Sequence, residues 1–68
     1  MSIEKIIREA AFATFTDAHS VRITEIDDES AIVRIEQGPD TDPVARIYFY
    51  DMACETFKNI RTNEIWEV

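Results

Sequence analysis

The sequence predicts an α+β fold, a two-layer sandwich in the order α-β-β-β-α-β. It consists of an antiparallel three-stranded meander, a short C-terminal strand and both helices on one face. Three observations predict it. Apolar residues recur with a helical period near the N-terminus. The period changes to two from about residue 20. The breaks between the alternating segments are four to six residues long, too short for the crossovers that parallel strands need. Sixty-eight residues make a single domain over 1–68, and no linker or low-complexity stretch divides it.

Ser2 stands at the N-cap of the first helix, where its hydroxyl accepts from a first-turn N–H. Ile3, Ile6, Ile7, Ala10 and Ala11 follow at helical spacing, with Glu4, Lys5, Arg8 and Glu9 on the other face. About three turns result, ending near Phe15, with Thr16, Asp17 and Ala18 leading out. Residues 20–26, 31–37 and 44–50 alternate, and their Val, Ile, Thr, Tyr and Phe suit a pleated surface. Between them, residues 27–30 and 38–43 carry the Asp, Ser, Gly and Pro of turns. Asp51 is a good N-cap for a second helix, in which Ala53, Phe57 and Ile60 share a face with Met52 and Cys54 at its margins. Asn63 closes that helix in a left-handed conformation, and residues 64–68 form the last strand.

One regularity runs through the strands. Val21-Arg22-Ile23, Val33-Arg34-Ile35 and Ala45-Arg46-Ile47 recur at twelve-residue spacing. Alternation sends each Arg away from its apolar neighbours. If Val21, Ile23, Val33, Ile35, Ala45, Ile47 and Phe49 face the helices, the outer face carries Arg22, Thr24, Ile32, Arg34, Glu36, Val44, Arg46, Tyr48 and Tyr50. A register with Arg22 across from Glu36, Thr24 across from Arg34 and Glu36 beside Arg46 avoids opposing Arg22 to Arg34. In this phase Phe49→Ala or Phe57→Ala costs about 3–5 kcal/mol, and Tyr48→Ala clearly less.

Seven Lys and Arg oppose fourteen Asp and Glu, for a net charge of −7. Within residues 20–50 the acids gather at Glu25, Asp27, Asp28 and Glu29, then at Asp40 and Asp42. Such a surface repels nucleic acid and anionic lipid and attracts basic protein surfaces. It also lies within the magnitude of about 2–8 that keeps a small domain dispersed. An apolar fraction of 46% is too high for a disordered chain. A lone Cys54 excludes a disulfide scaffold and fits a reducing compartment. Charges interrupt the opening residues as they do not in a signal peptide, and no apolar run approaches the roughly 20 residues of a membrane span. A soluble, cytoplasmic protein with no membrane association is expected.

Sites of chemistry are sparse. His19 has Asp17 and Ser20 nearby in sequence, but neighbours on an extended chain point apart, and a turn or strand-edge His is expected. Cys54 near a helix start is flanked by Asp51 and Glu55, which oppose a thiolate, so a semi-buried structural Cys is expected. The acidic stretches lack the twelve-residue pattern of a calcium loop, one Cys and one His do not make a zinc site, and Gly38 alone makes no phosphate loop. No catalytic residue, metal or cofactor is expected. The α-β-β-β-α order is similar to that of double-stranded RNA-binding domains in element order alone. The basic helix start that grips phosphate there is replaced by Asp51-Met-Ala-Cys-Glu55, and nothing carries over.

The expected function is that of a small, acidic, non-enzymatic protein-binding domain. It would inhibit or regulate a larger, basic, nucleic-acid-handling protein by occupying its surface, as phage proteins do against host defences. Two docking sites are expected. One is the outer sheet face, with Arg22, Ile32, Arg34, Arg46, Tyr48 and Tyr50, because Tyr and Arg dominate binding hot spots. The other is the acidic loops, with Asp27, Asp28, Glu29, Asp40 and Asp42. The alternatives are a small-ligand or single-stranded nucleic-acid binder using the Arg/Tyr face, and a homodimer or homo-oligomeric module of a larger assembly.

Overall fold

The computed structural model describes residues 2–68. Helix α1, Ile3–Thr14, precedes five strands: β1, Ala18–Ile26; β2, Ser30–Gln37; β3, Val44–Asp51; β4, Thr56–Asn59; and β5, Ile65–Glu67. The strands form one antiparallel sheet in the order β1-β2-β3-β4-β5. The fold is α+β, and α1 and the first three strands lie where the periodicity predicts. The second helix is absent. Residues 52–55 turn, and β4 occupies the middle of the predicted helix. The resemblance in element order to RNA-binding domains goes with it.

Local chemistry explains both outcomes. Ser2 caps α1, its Oγ accepting from the Lys5 N–H at 3.1 Å. Three hairpin turns are then held by one device. Asp27 Oδ1 accepts from the Glu29 and Ser30 N–H groups at 3.1 and 3.0 Å. Asp51 Oδ1 accepts from those of Ala53 and Cys54 at 2.9 and 3.2 Å. Asn59 Oδ1 accepts from those of Arg61 and Thr62 at 2.9 and 3.2 Å. Bonds to the second and third following N–H groups also begin a helix, so Asp51 alone does not distinguish the two. After Asp51 the chain turns back through Glu55 at φ 56°, and Phe57 lands across from Tyr50. A short isolated helix is marginal, whereas Thr56 and Phe57 are strand formers with a neighbour to pair with. Asn63 is left-handed, as expected of it, at φ 65°, but it serves the β4–β5 turn. The last strand therefore joins β4 and borders neither β1 nor β3.

The core lies between α1 and one face of the sheet. Ile7, Ala11 and Phe15 from the helical segment meet Ala31, Val33 and Ile35 of β2, Tyr48 and Tyr50 of β3, and Phe57 of β4. Phe15 sits 4.6 Å from Tyr48, 5.4 Å from Phe57 and 5.3 Å from Trp66, ring centre to ring centre. This reverses the expected phase of β3. Tyr48 and Tyr50 are buried, opposite Val33 and Ala31, while Ile47 and Phe49 face outward opposite Arg34 and Ile32. One twelve-residue helix spans little of a five-stranded sheet, and large aromatic rings fill the space a second helix would have filled.

The Tyr48 hydroxyl is satisfied inside. It donates to Gln37 Oε1 at 2.5 Å, and Gln37 Nε2 donates to Asp17 Oδ1 at 3.0 Å. The expected register also gives way. Val21, Arg22 and Ile23 lie across from Ile35, Arg34 and Val33, so Arg22 opposes Arg34 rather than Glu36. Glu36 opposes Ala45, not Arg46. Both registers keep Val21 and Ile23 on the core face, but the observed one sets them across from the buried Ile35 and Val33, and these apolar cross-strand pairs outweigh the largely exposed like-charge pair. Arg34 finds relief in Glu36, 3.5 Å away on its own strand. Thr24, expected outside, falls at a register shift between Ile23 and Glu25.

Candidate functional site

In a meander, alternate turns share an end of the sheet. The β1–β2 and β3–β4 turns are therefore neighbours, and the Met52 N–H donates to the Glu29 carbonyl at 2.9 Å. Glu67 lies across from Thr56, beside Glu55. Glu25, Asp27, Asp28, Glu29, Asp51, Glu55 and Glu67 gather here, and the two turns contain no Lys or Arg. The remaining seven acids and all seven bases balance, so the net charge of −7 corresponds to this end. Among the described residues none of the seven acids forms an ion pair. An open groove of about 520 Å³ runs between the turns, lined by Asp28, Glu29, Ser30, Phe49, Asp51, Met52 and Ala53.

The turn backbone shapes this field. The Asp27 carboxylate accepts from two backbone N–H groups and from Ser30 Oγ, which hold its pKa below the usual carboxylate range. Burial, then the Glu55 and Asp51 carboxylates, push the Tyr50 phenol up. A depressed carboxylate adds stability above its unfolded pKa and loses it as pH falls through the folded value. Asp27→Asn keeps an accepting oxygen and removes the charge. The variant is expected to lose less stability than the wild type between neutral pH and about pH 3. Denaturant melts across that range check this, and equal losses would remove the turn as the source.

The expected acidic loops do not form one site. Asp40 and Asp42 lie in the β2–β3 loop, at the opposite end of the sheet from Asp27, Asp28 and Glu29. There Asp40 Oδ1 is 3.0 Å from His19 Nδ1, and His19 Nε2 lies against the Gly38 carbonyl. His19 thus pins the loop to β1, and its partners are neither Asp17 nor Ser20. A second open groove of about 740 Å³ at this end runs along Arg46, Ile60, Arg61 and Trp66.

The outer sheet face also differs from the expected one. Arg22, Ile32 and Arg34 are on it. Tyr48 and Tyr50 are 1% and 4% exposed and offer nothing to a partner. Arg46 lies on the opposite face, across from Ile35, and is exposed at its rim. In their place Ile47 and Phe49 come outward with Ile60 and Ile65, the last two 52% and 63% exposed. Cys54 is exposed in the β3–β4 turn, not semi-buried on a helix.

Asp51, Glu55 and Glu67 are not legible as one acidic group in the sequence, because the spacing predicts a helix over 51–63 and does not show which strand the last one joins. With a hairpin there, two turns separated by two strands fall at one end and the acids add. Among the described residues no three His, Cys, Asp or Glu side chains come together to hold a metal ion, and no helix is long and apolar enough to cross a membrane. Comparison with models of known protein families, with curated proteins and with solved structures finds no match.

Proposed function

We propose that this domain is a non-enzymatic protein-binding module that docks its acidic end onto a basic surface of a larger protein and so inhibits or regulates it. The supporting observation is the segregation of charge. Seven acids, none in an ion pair among the described residues, lie at one end of the sheet, four of them in two adjacent turns, while the rest of the chain is balanced. Like charges held together cost stability through mutual repulsion, and a positive partner converts that repulsion into attraction and a faster, salt-sensitive encounter. A basic patch made to grip phosphate is the surface such an array fits, which favours a nucleic-acid-handling partner and argues against direct nucleic-acid binding. Burial of Tyr48 and Tyr50 removes the stacking platform on which single-stranded nucleic-acid binding rested.

The test compares two baits with the wild type in pull-downs from the source lysate. In one, Asp28, Glu29 and Glu55, whose side chains hold no turn, are replaced by Lys; in the other, Asp40 and Asp42 are. The first is expected to lose a partner that the wild type holds, and the second to retain it. The retained complex should weaken steeply with added salt. Equal capture by all three baits, or loss only with the second, would overturn the proposal.

A further inference from the structure

Independently of the acidic end, we infer that the outer sheet face is a self-association surface on which a second copy of this chain packs sheet to sheet. Ile32, Phe49 and Ile65 form a row across β2, β3 and β5, interrupted at β4 by Lys58. Ile47 and Ile60 lie beside that row, linked by the Ile60 N–H to the Ile47 carbonyl at 3.3 Å. A dimple of about 280 Å³ between Phe49, Lys58, Ile60 and Asn63 offers a seat for a protruding apolar side chain. Among the described residues nothing covers this face, because the one helix lies on the other side.

Two observations select a second copy as the occupant. The first is charge. Arg22, Arg34 and Lys58 accompany Glu36 on this face, with Glu25, Asp51 and Glu67 at its margin, so two copies of a chain of net charge −7 meet there on a surface of both signs rather than on their wholly acidic turns. Arg22 and Lys58 have no ion-pair partner among the described residues. Both are available to acids of the other copy, and a mixed-sign surface is complementary to itself in a two-fold arrangement. The second is size. The domain measures 36 × 27 × 19 Å, and its short axis matches one helix layer on one sheet layer. The broad face is thus bounded by 36 × 27 Å, enough to supply the roughly 800 Å² per partner of a stable interface. The turn acids Asp27, Asp28, Glu29 and Glu55, at the margin of the sheet, stay open in such a dimer.

Sedimentation equilibrium across a concentration series tests this. The wild type is expected to dimerise in the micromolar range. Phe49→Glu should weaken dimerisation at least about tenfold, since it places a charge at the apolar centre. Phe12→Glu, on the exposed side of α1, should leave it unchanged. Circular dichroism reports whether each variant folds, and Arg34→Glu serves as the face variant if Phe49→Glu does not. A wild type monomeric up to about 1 mM, or a dimer that Phe12→Glu disrupts and the face variants spare, would overturn the inference. The Lys variant of Asp28, Glu29 and Glu55 is expected to dimerise at least as well as the wild type, so failure of one proposal is distinguishable from failure of the other.

Discussion

Tyr48→Ala is expected to unfold this domain at room temperature, whereas Phe49→Ala, one residue along, leaves it folded. Tyr48 is 1% exposed and contacts three rings, those of Phe15, Phe57 and Trp66, at 4.6, 6.4 and 5.6 Å. Truncating a buried aromatic costs about 3–5 kcal/mol. A single small core supplies about the same total, so the loss consumes the whole margin. Phe49 is half-buried on the outer face, and its truncation in the monomer should cost about 1 kcal/mol.

The hydroxyl has its own signature. Tyr48→Phe leaves Gln37 Oε1 buried without its donor, at about 1–3 kcal/mol. Burial raises the phenol's pKa above its ordinary value. Its contribution is therefore complete below about pH 10 and is lost as pH rises through the folded value, a loss that Tyr48→Phe should lack. Urea melts of the three variants, repeated above pH 10 for the hydroxyl, check each part. A folded Tyr48→Ala beside an unfolded Phe49→Ala would reverse the strand phase described here.

Phe15→Ala is expected to be nearly as damaging, at about 3–4 kcal/mol, although the residue lies just beyond the last helical turn. It is 5% exposed and joins the helix to β3, β4 and β5 through Tyr48, Phe57 and Trp66. Its backbone N–H also closes the helix on the Ala11 carbonyl at 2.8 Å. Loss of the ring removes the anchor of the helix C-terminus, so helical and aromatic circular dichroism should disappear together in one transition. Phe12→Ala makes the comparison within the same segment, since Phe12 is 45% exposed and should cost under about 1 kcal/mol. Comparable melts for the two variants would remove Phe15 from the aromatic core.

Local rules made several parts of the molecule legible. The Ser2 cap, the helical spacing from Ile3 to Ala11 and the alternation in β1, β2 and β3 depend on chemistry within a few residues. Each therefore appears where the sequence places it. Charge composition likewise points to an acidic surface, and Asp27, Asp28 and Glu29 lie in its β1–β2 turn. Arg22, Ile32 and Arg34 reach the outer face because β1 and β2 have one apolar side each, which sets their phase.

Three matters waited for the tertiary structure. Asp51 makes bonds that serve a helix start or a turn equally, and only a neighbouring β3 makes β4 the better use of Phe57. The phase of β3 is ambiguous on apolarity alone, because Ala45, Ile47 and Phe49 compete with Val44, Tyr48 and Tyr50. Ring volume under a single helix, with Gln37 within reach of the Tyr48 hydroxyl, decides it. The candidate sites follow from those two outcomes. Pairing of β3 with β2 brings Asp51, and the hairpin brings Glu55, to the end of the sheet that holds Asp27 and Glu29, and the strand phase exchanges the tyrosines for Ile47 and Phe49. Helical spacing and alternation are properties of a segment and can be read along it residue by residue. Which face of a strand is buried, and which turns become neighbours, are properties of the whole packed chain, and only the packing of helix on sheet decided them.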